Sequence, residues 1–219
     1  VTDLDSSALA DIPEDWTGIG ANVADEGHMR EVFDRIGTVD VVCANAGIAG
    51  PTAAVEDVAL DDWRACLSVN LEGAFLAAKY AAPLMKKARR GSIILTSSTA
   101  GQHGYPYRTP YAAAKWGVIG LMKTLAMELG PFGVRCNAIC PGSVEGPRME
   151  GVLEREAEAK DMTRDQVYAG YAAGTSMRSF VEARDIADMA GFLGSDAARM
   201  VSGQAIAVDG HTENPNPQI

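Results

Sequence analysis

Three side chains stand at spacings that make sense together: the hydroxyl of Ser98, the phenol of Tyr111 thirteen residues later, and the ammonium of Lys115 four residues beyond it. Thr109-Pro110 reads as a helix N-cap followed by proline at the first helical position, and Val118, Met122, Leu125 and Leu129 continue at helical spacing to the stop signal Gly130-Pro131. One turn apart on that helix, Tyr111 and Lys115 share a face. A free phenol has a pKa of about 10 and is a poor base at neutral pH. Lowering it by roughly two to three units takes about 3–4 kcal/mol of differential stabilisation, which a close ammonium in a dry cleft supplies in large part. A tyrosine tuned in this way exchanges protons with alcohols and carbonyls. Alone, the Tyr-x-x-x-Lys pair is as readily a feature of a solvated helix, so the neighbouring elements decide its meaning.

Those elements alternate. The apolar run Val39–Ala44, rich in β-branched residues, reads as a strand buried on both faces of a parallel sheet. A long helix is expected from Asp61-Asp62-Trp63 to about Lys87, acidic at its start and basic at its end as the helix dipole prefers. The strand Ser92–Ser97 delivers Ser98 at its carboxyl end, where open α/β sheets bind ligands. Val134–Ile139 and Ala205–Val208 are further strands and Asp185–Leu193 a further amphipathic helix. The alternation predicts an α/β fold: a doubly wound parallel sheet in three layers. Between 145 and 180 the chain is charged and helix-prone, with Thr163-x-x-Gln166 forming a capping box. Gly18-Ile19-Gly20 leads into a strand and lacks the strand-turn-helix setting of a phosphate-binding turn.

Composition narrows the classes. The 219 residues suit one domain, expected over 1–212 with a mobile tail over 213–219, and 47% apolar with 22% charged residues is ordinary for a globular protein. A formal net charge of −10 argues against nucleic acid and anionic membrane surfaces as partners, although solubility alone explains it. Cys43, Cys66, Cys136 and Cys140 lie in or beside apolar runs without a Cys-x-x-Cys pair, so small buried hydrophobes in a reducing compartment are expected. His28, His103 and His211 are too scattered for a metal site, and no apolar run spans a membrane or marks a signal peptide. A cytoplasmic location is the expectation.

With Ser98, Tyr111 and Lys115 in place, the chain resembles the short-chain dehydrogenase/reductase family, and the likeness extends over nearly its whole length. Asn45-Ala46-Gly47, Ser68-Val69-Asn70, Pro141-Gly142 and Ser202-Gly203-Gln204 with Val208-Asp209-Gly210 match the family's pattern in order. The resemblance implies a Rossmann-like oxidoreductase moving a hydride between a nicotinamide cofactor and an alcohol or carbonyl. Tyr111 would be the general acid/base, Ser98 would steady the reacting oxygen, Lys115 would lower the phenol's pKa, and Asn70 would hold a proton-relay water. Asn45, Ala46 and Gly47, with Tyr111 and Lys115, would lie against the cofactor, and Pro141, Gly142 and Val144 would hold the nicotinamide carboxamide. Asn22 and Val23 would meet the adenine. Asp3, if not simply a surface aspartate before a helix at Asp5-Ser6, would accept from the ribose hydroxyls; no arginine adjoins it, which favours NAD over NADP.

The pattern also departs in places. Ala44 replaces a frequent asparagine and Gly146 a threonine. Val1–Asp5 resembles the end of the family's second strand, so the first β-α unit, with its glycine-rich turn, is expected to be missing from these residues. The sheet should then be open in its middle, and residues 1–219 alone are expected to bind cofactor weakly and to be catalytically silent. The resemblance further implies a substrate lid over 145–180, pocket walls from His103–Arg108, and a homo-oligomer, dimer or tetramer. Ala77, Ala78, Ala81, Ala113 and Gly117 would allow close helix approach either between protomers or onto the sheet. Arg148 and Arg178 are candidates to pair an anionic substrate. A second reading is a relative that keeps the fold as a non-catalytic association module. A serine hydrolase around Ser98 fails, because Thr96–Ala100 is no Gly-x-Ser-x-Gly elbow.

Overall fold

The structure, a computed structural model, describes residues 1–214, so the expected tail from 215 onward lies outside the described residues. Glu213, its first residue, is held: its N–H donates to the Gly174 carbonyl at 2.8 Å.

Four strands form a parallel sheet in sequential order: β3 (Val41–Ala44), β4 (Gly91–Thr96), β5 (Val134–Pro141) and β6 (Ala205–Val208). Register is fixed by pairs such as Val42↔Ile93, Ile93↔Cys136 and Ala138↔Ala205. Central β4 carries the apolar run Ile93–Leu95 because both of its faces are covered: Ile93 and Leu95 enter a core with α3 (Gly73–Ala88) and α4 (Thr109–Leu129), while Ile94 enters another with α7 (Ala183–Gly194). All three pairings are parallel, so all four carboxyl ends lie along one edge.

The strands fall into two sheets, as an opening in the middle of the sheet requires. β1 (Thr2–Asp3) and β2 (Ile19–Gly20) make a separate parallel pair, Thr2↔Ile19 and Asp3↔Gly20, that leads into α1 (Glu26–Ile36), whose Asp25 caps the His28 N–H at 2.8 Å. Among the described residues β3 bonds only to β4, so it is an edge strand. That corrects the reading of Val39–Ala44 as buried on both faces: of β3 only Val42 is buried, and Val41 and Cys43 are exposed. The other three cysteines are buried, and burial pushes the thiols of Cys136 and Cys140 up to about 12 and about 11. Alkylation of the native chain is therefore expected to label Cys43 alone. Labelling of a second cysteine in peptide mass maps would show that the core opens on the timescale of the reagent.

The expected helix over 61–87 runs from α2 (Leu60–Leu67) into α3 through a π-helical turn, Ser68–Glu72, in which the Gly73 N–H reaches the Ser68 carbonyl. α4 begins at Thr109 itself; Arg108 precedes it and no side chain caps it, while Pro110 occupies a first-turn position that needs no N–H. Ala77, Ala78 and Ala81 are buried inside the protomer, and a Cβ on Gly117 would come 2.8 Å from Leu71 Cδ2, so these small residues serve internal packing; Ala113 is exposed. Beyond β5, α5 (Pro147–Lys160) and α6 (Arg164–Ala173) share their own core of Leu153, Ala157, Val167 and Tyr171. The capping box at Thr163 and Gln166 starts α6 as expected. Among the described residues no helix is long and apolar enough to cross a membrane, and no group of three or more metal-ligating side chains forms.

Candidate active site

Ser98 follows β4 with extended backbone, and its Oγ accepts the Ala100 N–H at 3.1 Å, starting a short 3-10 turn, Thr99–Gly101. That turn is pressed onto α4: a Cβ on Gly101 would come 2.7 Å from the Lys115 carbonyl oxygen, so only glycine allows the approach. Ser97 donates from Oγ to the same carbonyl at 2.8 Å. The strand end and the helix are thus locked together at the turn that carries Tyr111 and Lys115. Lys115, 2% exposed, donates from Nζ to the Thr96 carbonyl at 2.8 Å, and Thr96 Oγ1 donates to Asn45 Oδ1 at 3.0 Å.

Burial by itself would push the Tyr111 phenol up. It is outweighed by the positive charges of Lys115 and Arg148, the hydroxyl of Ser98 and the charge of Arg108, which together hold the phenol below its ordinary 10. Lys115 Nζ lies 5.6 Å, Arg108 Cζ 4.9 Å and Arg148 Cζ 6.0 Å from the Tyr111 ring centroid. At an effective dielectric of 20, unit charges about 6 Å apart interact by about 3 kcal/mol, so three cations suffice to overcome the burial penalty. Burial lowers the Lys115 pKa, and the nearby Arg148 charge adds to this against the pull of the phenolate.

Asn70, 1% exposed, sits in the π turn. Its Nδ2 donates to the carbonyls of Ile48 at 3.0 Å and Cys66 at 2.9 Å, while its buried Oδ1 has no partner among the described residues. A Cβ on Gly47 would come 2.5 Å from that Oδ1 and 3.6 Å from Lys115 Nζ, so Gly47, Asn70 and Lys115 meet at one point behind Tyr111.

One cavity of about 410 Å³ gathers Asn45, Ser98, Tyr111, Lys115, Pro141, Gly142 and Val144. Tyr105 and Arg108 join from the segment before α4, and Arg148, Met149 and Val152 from α5. The remaining candidates are outside its walls. Asp3 ends β1 with Oδ1 accepting the Asp5 N–H at 2.9 Å; Asn22 accepts the Ala24 N–H at 3.0 Å; Val23 packs on Gly73; Ala46 and Gly47 turn the chain behind the cavity. Arg178 donates to the Ala173 carbonyl and does not line the cavity, so of the two candidate arginines only Arg148 does. Gly101 escaped sequence reasoning, because its need for glycine comes from α4 packing across from it. Arg108 was placed only in a pocket wall, although its position three residues before Tyr111 puts it one turn away.

Residues 4–211 match the sequence pattern of the family described as Enoyl-(Acyl carrier protein) reductase. The chain is 41% identical over 198 residues to trans-4-hydroxycyclohexanecarboxylate dehydrogenase of Sinomonas cyclohexanicum, covering 90% of this chain and 66% of that protein. It is 36% identical over 193 residues to a 3-oxoacyl-acyl-carrier-protein reductase of Thermotoga maritima, covering 86% of this chain and 74% of the relative. Among solved structures it is similar to NAD+-bound xylitol dehydrogenase, with a TM-score of 0.85 and 27% identity over 88% of this chain and 78% of that one.

Proposed function

The chain belongs to the short-chain dehydrogenase/reductase family, and on that footing we propose that it is an oxidoreductase acting on an alcohol or carbonyl, with Tyr111 exchanging the hydroxyl proton. The observation that carries this reading is the meeting of Ser98, Tyr111 and Lys115 at one cavity with the phenol's pKa held low. Ser98 donates to the reacting oxygen as charge builds on it. Lys115 keeps the phenolate accessible, and a water donating to the unpartnered Asn70 Oδ1 carries the proton onward past Lys115. A bound nicotinamide dinucleotide supplies the hydride acceptor or donor. Asn45, Pro141, Gly142 and Val144, which line the cavity with Tyr111, would hold its reactive ring there.

We assign NAD rather than NADP, because the exposed Asp3 at the end of β1 would accept from ribose hydroxyls and repel a 2′-phosphate. The four free thiols fit a cytoplasmic setting, and exposed Phe75, Trp116 and Met127 along α3 and α4 fit a homo-oligomer, a dimer or tetramer. Assay of the intact protein with a panel of alcohols should show reduction of NAD well above that of NADP. A preference for NADP would overturn the role of Asp3; no turnover with either cofactor would favour the association module.

A further inference from the structure

Arg108 is 6% exposed, yet among the described residues it has no acidic partner. One terminal nitrogen donates to the Ala49 carbonyl at 3.1 Å, the guanidinium lies over the Tyr111 ring, and its buried Nε has no partner among the described residues. A buried cation satisfied by one carbonyl is expensive unless an anion comes to it. Arg148 lines the same cavity, also without an ion pair among the described residues, and with Lys115 makes three cations around one ring in a chain of net charge −10. The acids nearby are engaged elsewhere. Glu145 accepts from Tyr168 Oη at 2.8 Å, and Glu156 from Tyr171 Oη at 2.5 Å and the Lys160 ammonium at 2.7 Å.

Resting on the oxidoreductase reading of this cavity, we infer that its substrate is a carboxylate-bearing alcohol or ketone, anchored by Arg108 with Arg148 while Tyr111 works on the oxygen at its other end. The walls Tyr105, Met149 and Val152 are apolar or aromatic, and a cavity of about 410 Å³ that also admits the nicotinamide ring leaves room for a compact substrate only. A planar guanidinium matches a two-oxygen carboxylate. Arg108 is thus a specificity-determining residue, one helical turn before the acid/base.

The test compares binding of cyclohexanecarboxylate, its carboxamide and cyclohexyl phosphate to this chain by calorimetry, in wild type, Arg108→Gln, Arg108→Lys, Arg148→Gln and Arg178→Gln. The acid should bind tighter than the amide by about tenfold to a hundredfold, the worth of charge-assisted hydrogen bonds. Arg108→Gln should bring the two within about twofold of each other, Arg148→Gln should narrow the gap, Arg108→Lys should keep part of it, and Arg178→Gln should leave it intact. Equal or unmeasurable binding of acid and amide by the wild type, tighter binding of the phosphate, or an undiminished preference in folded Arg108→Gln would each overturn the inference. If Arg108→Gln fails to fold, Arg108→Lys and Arg148→Gln decide by the same ratio. The two readings fail separately. Oxidation of neutral alcohols but not of hydroxycarboxylates would leave the oxidoreductase and remove the carboxylate; tight acid binding without oxidation of any alcohol would do the reverse.

Discussion

Tyr111→Phe is expected to lower alcohol oxidation by the intact protein at least a hundredfold with its thermal midpoint nearly unchanged. The substitution keeps the ring that Arg108 and Lys115 face and removes only the exchangeable proton and its oxygen. Loss of a positioned general acid/base costs roughly 10²–10⁴ in rate, equivalent to about 3–5 kcal/mol of barrier. The wild-type pH profile should carry the same signature. Oxidation needs the phenolate, and the phenol's pKa is held below its ordinary 10, so the rate should climb with pH and level off before that value. In Tyr111→Phe the climb should vanish. A variant retaining more than about a tenth of the wild-type rate, where general acid–base loss should exceed that, would move the proton chemistry to another group.

The parts of this site that were legible in the sequence are the local ones. Tyr111 and Lys115 share a face because four residues make one turn, and Gly130-Pro131 closes the helix wherever it packs. Ser98 lies beside them because a run as apolar as Ile93–Leu95 forms a central strand, and its carboxyl end is where such a sheet binds ligands. What stayed hidden depends on partners far along the chain. The π turn at Asn70 is shaped where Gly47 leaves no room for a Cβ, and Arg108 is positioned by the carbonyl of Ala49, 59 residues away in sequence. Strand partnership is equally non-local. Val41–Ala44 has the composition of an interior strand, yet among the described residues it bonds to β4 alone and only Val42 of it is buried, so an apolar run does not by itself show that both faces of a strand are covered.

Lys115→Met is expected to cost about a hundredfold or more in alcohol oxidation at neutral pH while leaving the protein as stable as the wild type, or more so. Methionine keeps the length and apolar stem of lysine at a position 2% exposed, so packing against β4 is preserved. What is lost is one hydrogen bond from a charged donor to the Thr96 carbonyl, worth about 1.5–3 kcal/mol, and one buried charge whose desolvation opposes it. The sign can be read from pH. Burial lowers the lysine's pKa below its unfolded value, so the native state binds fewer protons than the unfolded chain in the window between the two. Lys115 therefore detracts from wild-type stability below that window and ceases to do so as pH rises through it. Denaturant midpoints should show the variant's relative advantage greatest near neutrality and shrinking toward pH of about 10, the unfolded lysine value. Catalysis moves the other way. Without the ammonium the burial penalty on Tyr111 is met only by Arg148, Ser98 and Arg108, so the phenol's pKa rises and the rate loss should be partly recovered in alkali. A variant that is both inactive and unfolded, or one whose rate profile keeps the wild-type inflection, would show that Lys115 acts by packing and not by its charge.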